Sequence, residues 1–248
     1  MTGLVRPKAI IFDLDGTLID AYGRRLEAWT RLIASHQGSL GNHSAAGLTV
    51  AILEIIDETW DDPAKRVAWA ADLRDARRRI VAGAFARIGL ADAALATRIA
   101  DQFSDQREQG TRLQDGALET LTALAAAGIG LALLTNGAAA TQREKIQRFE
   151  LADYFSHILV EEEIGVGKPA VEAFERALAA LGTSADQTWM IGDDLKWDIA
   201  GAAALGIKNI LCLTGDGINA GDQPGAKPVF DLDCSTLLGT LKTMRDEG

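Results

Sequence analysis

Ile10-Ile11-Phe12-Asp13-Leu14-Asp15-Gly16-Thr17-Leu18 is the stretch whose reading decides the fold. An apolar run, Ala9 to Phe12, ends in two carboxylates one residue apart, and a glycine follows. A short apolar run bounded in this way predicts a buried parallel strand over residues 8–13 that delivers acids to its carboxyl end. In open α/β sheets that end is where ligands bind. Two anionic groups beside a sheet core repel each other and lose hydration, so they call for a cation or a chemical role. Solvated Asp and Gly are also ordinary turn residues. What lifts this stretch above turn chemistry is that Thr135, Lys168 and Asp193-Asp194 each follow a later apolar run.

Outward from that strand the pattern changes. Between about Ala21 and Arg112 there is one proline, Pro63, and alanine, leucine and arginine recur at helical spacing. Leu26, Trp29, Leu32 and Ile33 form one apolar stripe, and Val50, Leu53, Ile56 and Trp60 another. Asp61-Asp62-Pro63 reads as a helix start. Val67, Ala71, Ile80, Phe85 and Ile88 continue helical faces up to Gly89, and a further helix is expected from Ala91 to Glu108. Trp29, Trp60 and Trp69 are expected in the core of this region, and Arg24, Arg25 and Arg77-Arg78-Arg79 on solvated helix faces.

From Asp115 strands and helices alternate. A helix through Leu118, Leu121 and Leu124 stops at Gly128, and Ile129–Leu134 is a strand ending at Thr135-Asn136-Gly137. Thr141 to Glu144 has the form of a capping box for a helix running through Phe149. Ser156–Val160 is a strand, Glu161-Glu162-Glu163 a charged loop, and Val171–Leu181 a helix closed by Gly182. Thr188–Ile191 is a strand ending in Gly192-Asp193-Asp194. A short helix follows around Asp198–Leu205, then a strand over Asn209–Leu213, an edge strand near Val229–Leu232 and a final helix over Leu237–Met244. Such alternation predicts an α/β fold with a doubly wound parallel sheet, into which residues 21–112 insert a helical domain and to which 1–20 and 113–248 contribute the core.

Composition narrows the functional classes. The 248 residues are 48% hydrophobic and 24% charged, as in an ordinary globular chain. A net charge of -10, from 25 basic and 35 acidic residues, argues against non-specific nucleic-acid binding, which needs a basic footprint. It leaves room for an anionic small substrate, because a bound divalent cation inverts the local field. Cys212 and Cys234 match no zinc spacing and are expected to be reduced and buried. The apolar run after Arg6 and Lys8 is too short for a signal peptide or a membrane span. A cytoplasmic protein is expected, a monomer or homodimer with neither membrane nor nucleic-acid partners.

Asp13-Leu14-Asp15-Gly16-Thr17-Leu18, Thr135-Asn136-Gly137, Gly167-Lys168-Pro169 and Gly192-Asp193-Asp194-Leu195-Lys196-Trp197-Asp198 together resemble the four ordered motifs of the haloacid dehalogenase-like (HAD) hydrolase superfamily. The position of the insert is similar to that of the subfamily with a helical cap on a Rossmann-like core. Thr135-Asn136-Gly137 followed by Gln142-Arg143-Glu144-Lys145-Ile146 resembles the N-acylneuraminate-9-phosphatase-like and nucleotidase-like branches.

That resemblance implies phosphoryl transfer from a small phosphorylated metabolite with Mg²⁺ as cofactor. Asp13 would be the nucleophile forming an aspartyl-phosphate. Asp13 and Asp193 would be side-chain ligands of the metal, and Asp15 a ligand through its backbone carbonyl. The Asp15 side chain would protonate the leaving oxygen and then accept the proton of the attacking water. The Thr135 hydroxyl and the Asn136 backbone N–H would hold phosphoryl oxygens, and Lys168 would balance charge on them and on Asp13. Asp198 would either orient Lys168 or hold a metal-bound water. Asp194 is a supporting residue or an acid favourably placed at a helix N-terminus. Three alternatives stay open: a 2-haloacid dehalogenase, a sugar phosphomutase and a catalytically dead binding protein. Against the first stands Asp15, the leaving-group acid that a phosphatase needs and dehalogenases of this family typically lack.

Overall fold

A computed structural model describes residues 6–20, 25–60, 65, 72–212 and 230–232. The apolar run becomes strand β1, Ala9–Phe12. It lies inside a six-stranded sheet with β4 (Gly130–Thr135) on one side and β6 (Thr188–Gly192) on the other. Beyond β4 lies β5 (His157–Val160), and beyond β6 lie β7 (Lys208–Cys212) and β8 (Phe230–Leu232). Every pairing in this sheet is parallel, with Phe12 opposite both Leu133 and Ile191. The chain builds outward from β1 in one direction and then in the other, so the order reverses at β1, the place where such sheets open a crevice beyond their carboxyl ends.

Alternation along the strands fills both faces. Ile10, Phe12, Leu131, Leu133, Trp189 and Ile191 pack on one side with Leu121, Leu124 and Ile146. Ile11, Ala132, Leu134 and Met190 pack on the other with Ala173, Phe174 and Ala177. Burial on both faces explains why these strands read as continuous apolar runs rather than alternating ones. The helices Ala117–Ala126 and Val171–Leu181 end where expected, with Gly128 and Gly182 at φ 74° and 64°. A two-stranded antiparallel ribbon, β2 (Ile19–Asp20) with β3 (Arg112–Leu113), was not legible in the sequence. Two residues per strand are too few for a periodicity to register.

The chain divides into two compact units, Met1–Ala21 with Arg112–Gly248, and Tyr22–Thr111. In the second, the described residues form the helices Arg25–Ser35, Ala45–Trp60, Leu73–Ile88 and Ala93–Gly110 with a short 3₁₀ turn at Gln37–Ser39. Asp72 and Asp92 cap two of them by accepting the Asp75 and Leu95 amides, each at 2.9 Å. Trp29 stacks on Phe103 at 3.6 Å within a core that includes Leu32, Ile33, Ile52, Ile56, Ile80 and Phe85. Leu26 and Val50, expected on the apolar stripes, are instead 48% and 54% exposed. They sit at stripe edges, where a single apolar residue facing water is common. Of the arginine run, Arg78 and Arg79 pair with Asp101 and Asp75, and Arg77 lies over the Phe103 ring.

Several expectations lie outside the described residues: the helix start at Asp61-Asp62-Pro63, Val67, Ala71, Trp69, the Trp60 side chain, Arg24 and the Arg25 side chain, Cys234, and the helix over Leu237–Met244. Cys212 is buried. No helix among the described residues is long and apolar enough to cross a membrane.

Candidate active site

The loop after β1 is a tight turn. The Gly16 amide donates to the Ile19 carbonyl at 2.7 Å, and the Leu18 and Ile19 amides both return to the Leu14 carbonyl. The Asp13 amide still follows the sheet, donating to Ile191 at 2.9 Å, so its carboxylate stands at the strand's carboxyl end and is buried. Gly16 has φ 95°, and a Cβ there would lie 2.1 Å from Asp193 Oδ2. Glycine is therefore required twice over, by the turn and by the approach of the Asp193 carboxylate to the Asp15–Gly16 backbone. A Cβ on Gly192 would likewise meet Asp198 Oδ2 at 2.3 Å.

Lys168 is brought in by the loop that follows the short helix Glu161–Ile164. Its ammonium is buried between two carboxylates, 2.5 Å from Asp13 Oδ1 and 2.6 Å from Asp198 Oδ1. Asn136 fixes that loop by a reciprocal pair of bonds: its Nδ2 donates to the Lys168 carbonyl, and its Oδ1 accepts the Lys168 amide, both at 2.8 Å. The Asn136 side chain is thus committed to the lysine loop. Thr135 closes β4 with a buried hydroxyl.

Carboxylate oxygens of Asp13, Asp193 and Asp198 all lie within 4.8 Å of one another. Burial, with Asp198 and Asp15 nearby, outweighs the attraction of Lys168 and pushes the Asp13 carboxyl up to about 7. Burial and the neighbouring Asp13 and Asp198 raise Asp193 well above the ordinary carboxylate range, and burial raises Asp198 and Asp194. Burial alone would push Lys168 down, but Asp13 and Asp198 hold its ammonium above the usual lysine value.

Whether these residues suit a cation can be judged from their oxygens. Both Asp198 oxygens already accept, one from Lys168 and the other from the Asp194 amide at 3.1 Å. Asp13 Oδ2, by contrast, is buried with no hydrogen-bond partner among the described residues. An orphaned buried carboxylate oxygen beside a second carboxylate is a poor arrangement without a cation and a good one for a small hard dication. Asp13 therefore fits a metal better than Asp198 does, and Asp193 lies close enough to share it.

Asp15 is held by two residues from the middle of a helix rather than from a strand end. Lys145 Nζ lies 2.8 and 2.6 Å from its two oxygens, and Gln142 Nε2 lies 2.9 Å from Oδ2. Both residues come from the helix Ala139–Arg148. The expected capping box at Thr141–Glu144 does not exist, because the helix starts earlier, with Ala138 as its cap and no side-chain bond there. Its N-terminus is served from across the loop instead: Glu161 Oε2 accepts the Gly137 amide at 2.9 Å and Glu162 Oε2 the Ala139 amide at 2.6 Å. The three glutamates are therefore a helical turn that fastens the second motif, with Glu163 paired to Arg143, and not a charged loop. Asp194 is the cap of the wide helical turn Leu195–Ala200, accepting the Lys196 and Trp197 amides at 2.8 and 2.9 Å. That turn starts three residues before the expected helix at Asp198.

The site thus lies in one unit: an acid-bearing central strand of a parallel sheet with a lysine and two further strand-end loops converging on it. This is the architecture of a hydrolase family whose profile, for haloacid dehalogenase-like hydrolases, matches residues 7–206. The chain belongs to that family. The phosphoglycolate phosphatase of Rhodospirillum rubrum is 30% identical over 234 residues, which cover 91% of this chain and 87% of that one. The N-acylneuraminate-9-phosphatase of Rattus norvegicus is 27% identical over 232 residues, covering 87% and 86%. Shorter matches to further curated phosphatases, 35 to 42% identical, span only 33 to 43% of those proteins' length. Among solved structures, the HAD hydrolase YfnB of Bacillus subtilis, crystallised with magnesium, superposes with a TM-score of 0.65 at 25% identity, covering 95% of this chain and 99% of that one. Other solved chains of this fold are dehalogenases, so the fold alone does not choose the chemistry.

Proposed function

We propose that this chain is a Mg²⁺-dependent phosphomonoesterase that acts on a small phosphorylated metabolite through an aspartyl-phosphate. The observation that carries the reading is the state of Asp13, with one oxygen on Lys168 and the other buried without a partner beside Asp193. Asp13 attacks phosphorus, forming an O–P bond as the ester O–P bond breaks. The departing electron pair stays on the leaving oxygen, which takes a proton from Asp15. Water then attacks the same phosphorus, gives a proton to Asp15 and releases the Asp13 carboxylate.

The Asp13 and Asp193 carboxylates and the Asp15 carbonyl would hold the metal, which when bound supplies positive charge against the phosphoryl dianion. Lys168 would counter the same charge, and Asp198 keeps its ammonium aimed at Asp13. The Thr135 hydroxyl and the Asn136 backbone N–H hold phosphoryl oxygens. The helical unit Tyr22–Thr111 serves as a cap that excludes water and selects the substrate.

A dehalogenase would need no acid at position 15, yet Asp15 is present and held by two side chains. A phosphomutase would share every core residue, and only the acceptor would differ. A dead binding protein has no need for each of these groups together. The phosphatase relatives favour hydrolysis of a phosphate ester. Phosphate release from p-nitrophenyl phosphate tests the proposal. Turnover is expected with Mg²⁺ and none after chelation; no turnover with Mg²⁺, Mn²⁺ or Co²⁺ would overturn it.

A further inference from the structure

Gln142 is buried and Lys145 half-buried, three positions apart and so on one face of their helix. Lys145 donates to the Gln142 carbonyl oxygen at 2.8 Å as well as to Asp15. The Gln142 amide nitrogen lies 2.7 Å from Thr135 Oγ1 and 2.6 Å from the Asn136 carbonyl, besides its contact with Asp15. Helix packing does not ask for this. A buried glutamine gives up hydration that an apolar residue of similar size would not have to lose. What the pair does is join two loop tips that arrive on different strands, β1 and β4. Because Thr135 accepts from Gln142, its own hydroxyl proton is the part left for another acceptor.

We infer that Gln142 and Lys145 are positioning residues for Asp15, locking its carboxylate to Thr135 so that the group handling the proton and the group holding the phosphoryl oxygens form one rigid body. The inference rests on the phosphatase reading and deepens it. In that reaction the proton of Asp15 moves to the leaving oxygen as the ester O–P bond breaks. Its aim therefore matters in proportion to how strongly the leaving group needs a proton. Phenolate, with a proton affinity like that of tyrosine (pKa about 10), needs it. The much weaker base 2,4-dinitrophenolate departs readily as the anion.

Steady-state kinetics with Mg²⁺ on phenyl phosphate and 2,4-dinitrophenyl phosphate test this in the full chain, for the unmodified protein, Lys145→Met and Gln142→Leu. Each variant should lose about tenfold more kcat on phenyl phosphate than on the dinitrophenyl ester, within the range that misaligned catalytic groups produce. KM should move by a similar factor for both esters. Equal losses on the two esters, no loss, or an effect carried by KM alone would overturn the inference while leaving the phosphatase reading intact. If the unmodified protein hydrolyses neither ester, the phosphatase reading fails and the inference with it. A thermal melt accompanies each variant; should Gln142→Leu fail to fold, the ratio for Lys145→Met decides alone, since that side chain is partly exposed.

Discussion

Asp13 sits where burial works against its charge, and its partners decide how it behaves. Asp13→Asn removes the proposed nucleophile and few contacts, so turnover should fall at least a thousandfold, on the order expected for loss of an attacking group, while the fold persists. Activity within about tenfold of wild type would show that another group attacks. The same residue makes stability depend on pH. With its carboxyl at about 7 in the metal-free fold and near 4 in the unfolded chain, the folded state holds the extra proton. The stability this lends is full below the unfolded value and is lost as pH rises through the folded one. Asp193 and Asp198 face Asp13, are raised as well and titrate together with it, so the dependence belongs to this cluster and changes when Asp13 is replaced. The melting midpoint of chelator-treated wild type should therefore drop relative to Asp13→Asn between about pH 5 and 7; a constant difference would contradict the assignment. Lys168→Met leaves Asp13 and Asp198 buried without their cation. Breaking a buried pair in this way costs about 3 kcal/mol, readable in a urea midpoint. An unchanged midpoint would show that the lysine does not neutralise them.

Elements explain both how much of the site the sequence disclosed and what it hid. The loop tips were legible because each polar signal follows an apolar strand, and parallel strands place such signals at one end of the sheet. Asp13, Thr135, Lys168 and Asp193 could be named on that ground, and Asp198, inside the following helical turn, only through the resemblance. Gln142 and Lys145 could not, because they act from the middle of a helix, where polar residues are usually solvent-facing. The available signal was a glutamine four residues before the buried Ile146, on the inward stripe. Glu161 and Glu162 escaped for a different reason: capping from a separate segment leaves no spacing rule to find. Their role predicts that Glu162→Ala weakens the start of Ala139–Arg148 by about 1 kcal/mol, the usual worth of a cap. Hydrogen exchange at Ala139 and its neighbours would report it, and unchanged exchange would refute it. The ribbon β2–β3 was likewise hidden, since its pairing joins residues about ninety positions apart in the chain.

At the scale of the molecule, the two units have separate apolar cores, one on both faces of the sheet and one among the described helices of the second unit. The proposed reaction centre lies wholly in the first. In the proposed reading, specificity belongs to the helical unit, whose sequence carries no motif that names a substrate. Replacing residues 22–111 by a short linker should leave a folded core that still hydrolyses p-nitrophenyl phosphate but discriminates poorly among sugar phosphates, nucleotides and phosphoglycolate. An unchanged ranking of those substrates would deny the helical unit its role as cap.

The central claim, attack by Asp13 on phosphorus, is tested most directly by rapid acid quench during turnover of p-nitrophenyl phosphate, followed by peptide mass spectrometry. A phosphoryl group is predicted on the peptide containing Asp13, present with Mg²⁺ and lost on chelation or in Asp13→Asn. Sustained turnover with that peptide never phosphorylated, or a phosphoryl group trapped on another residue, would contradict it.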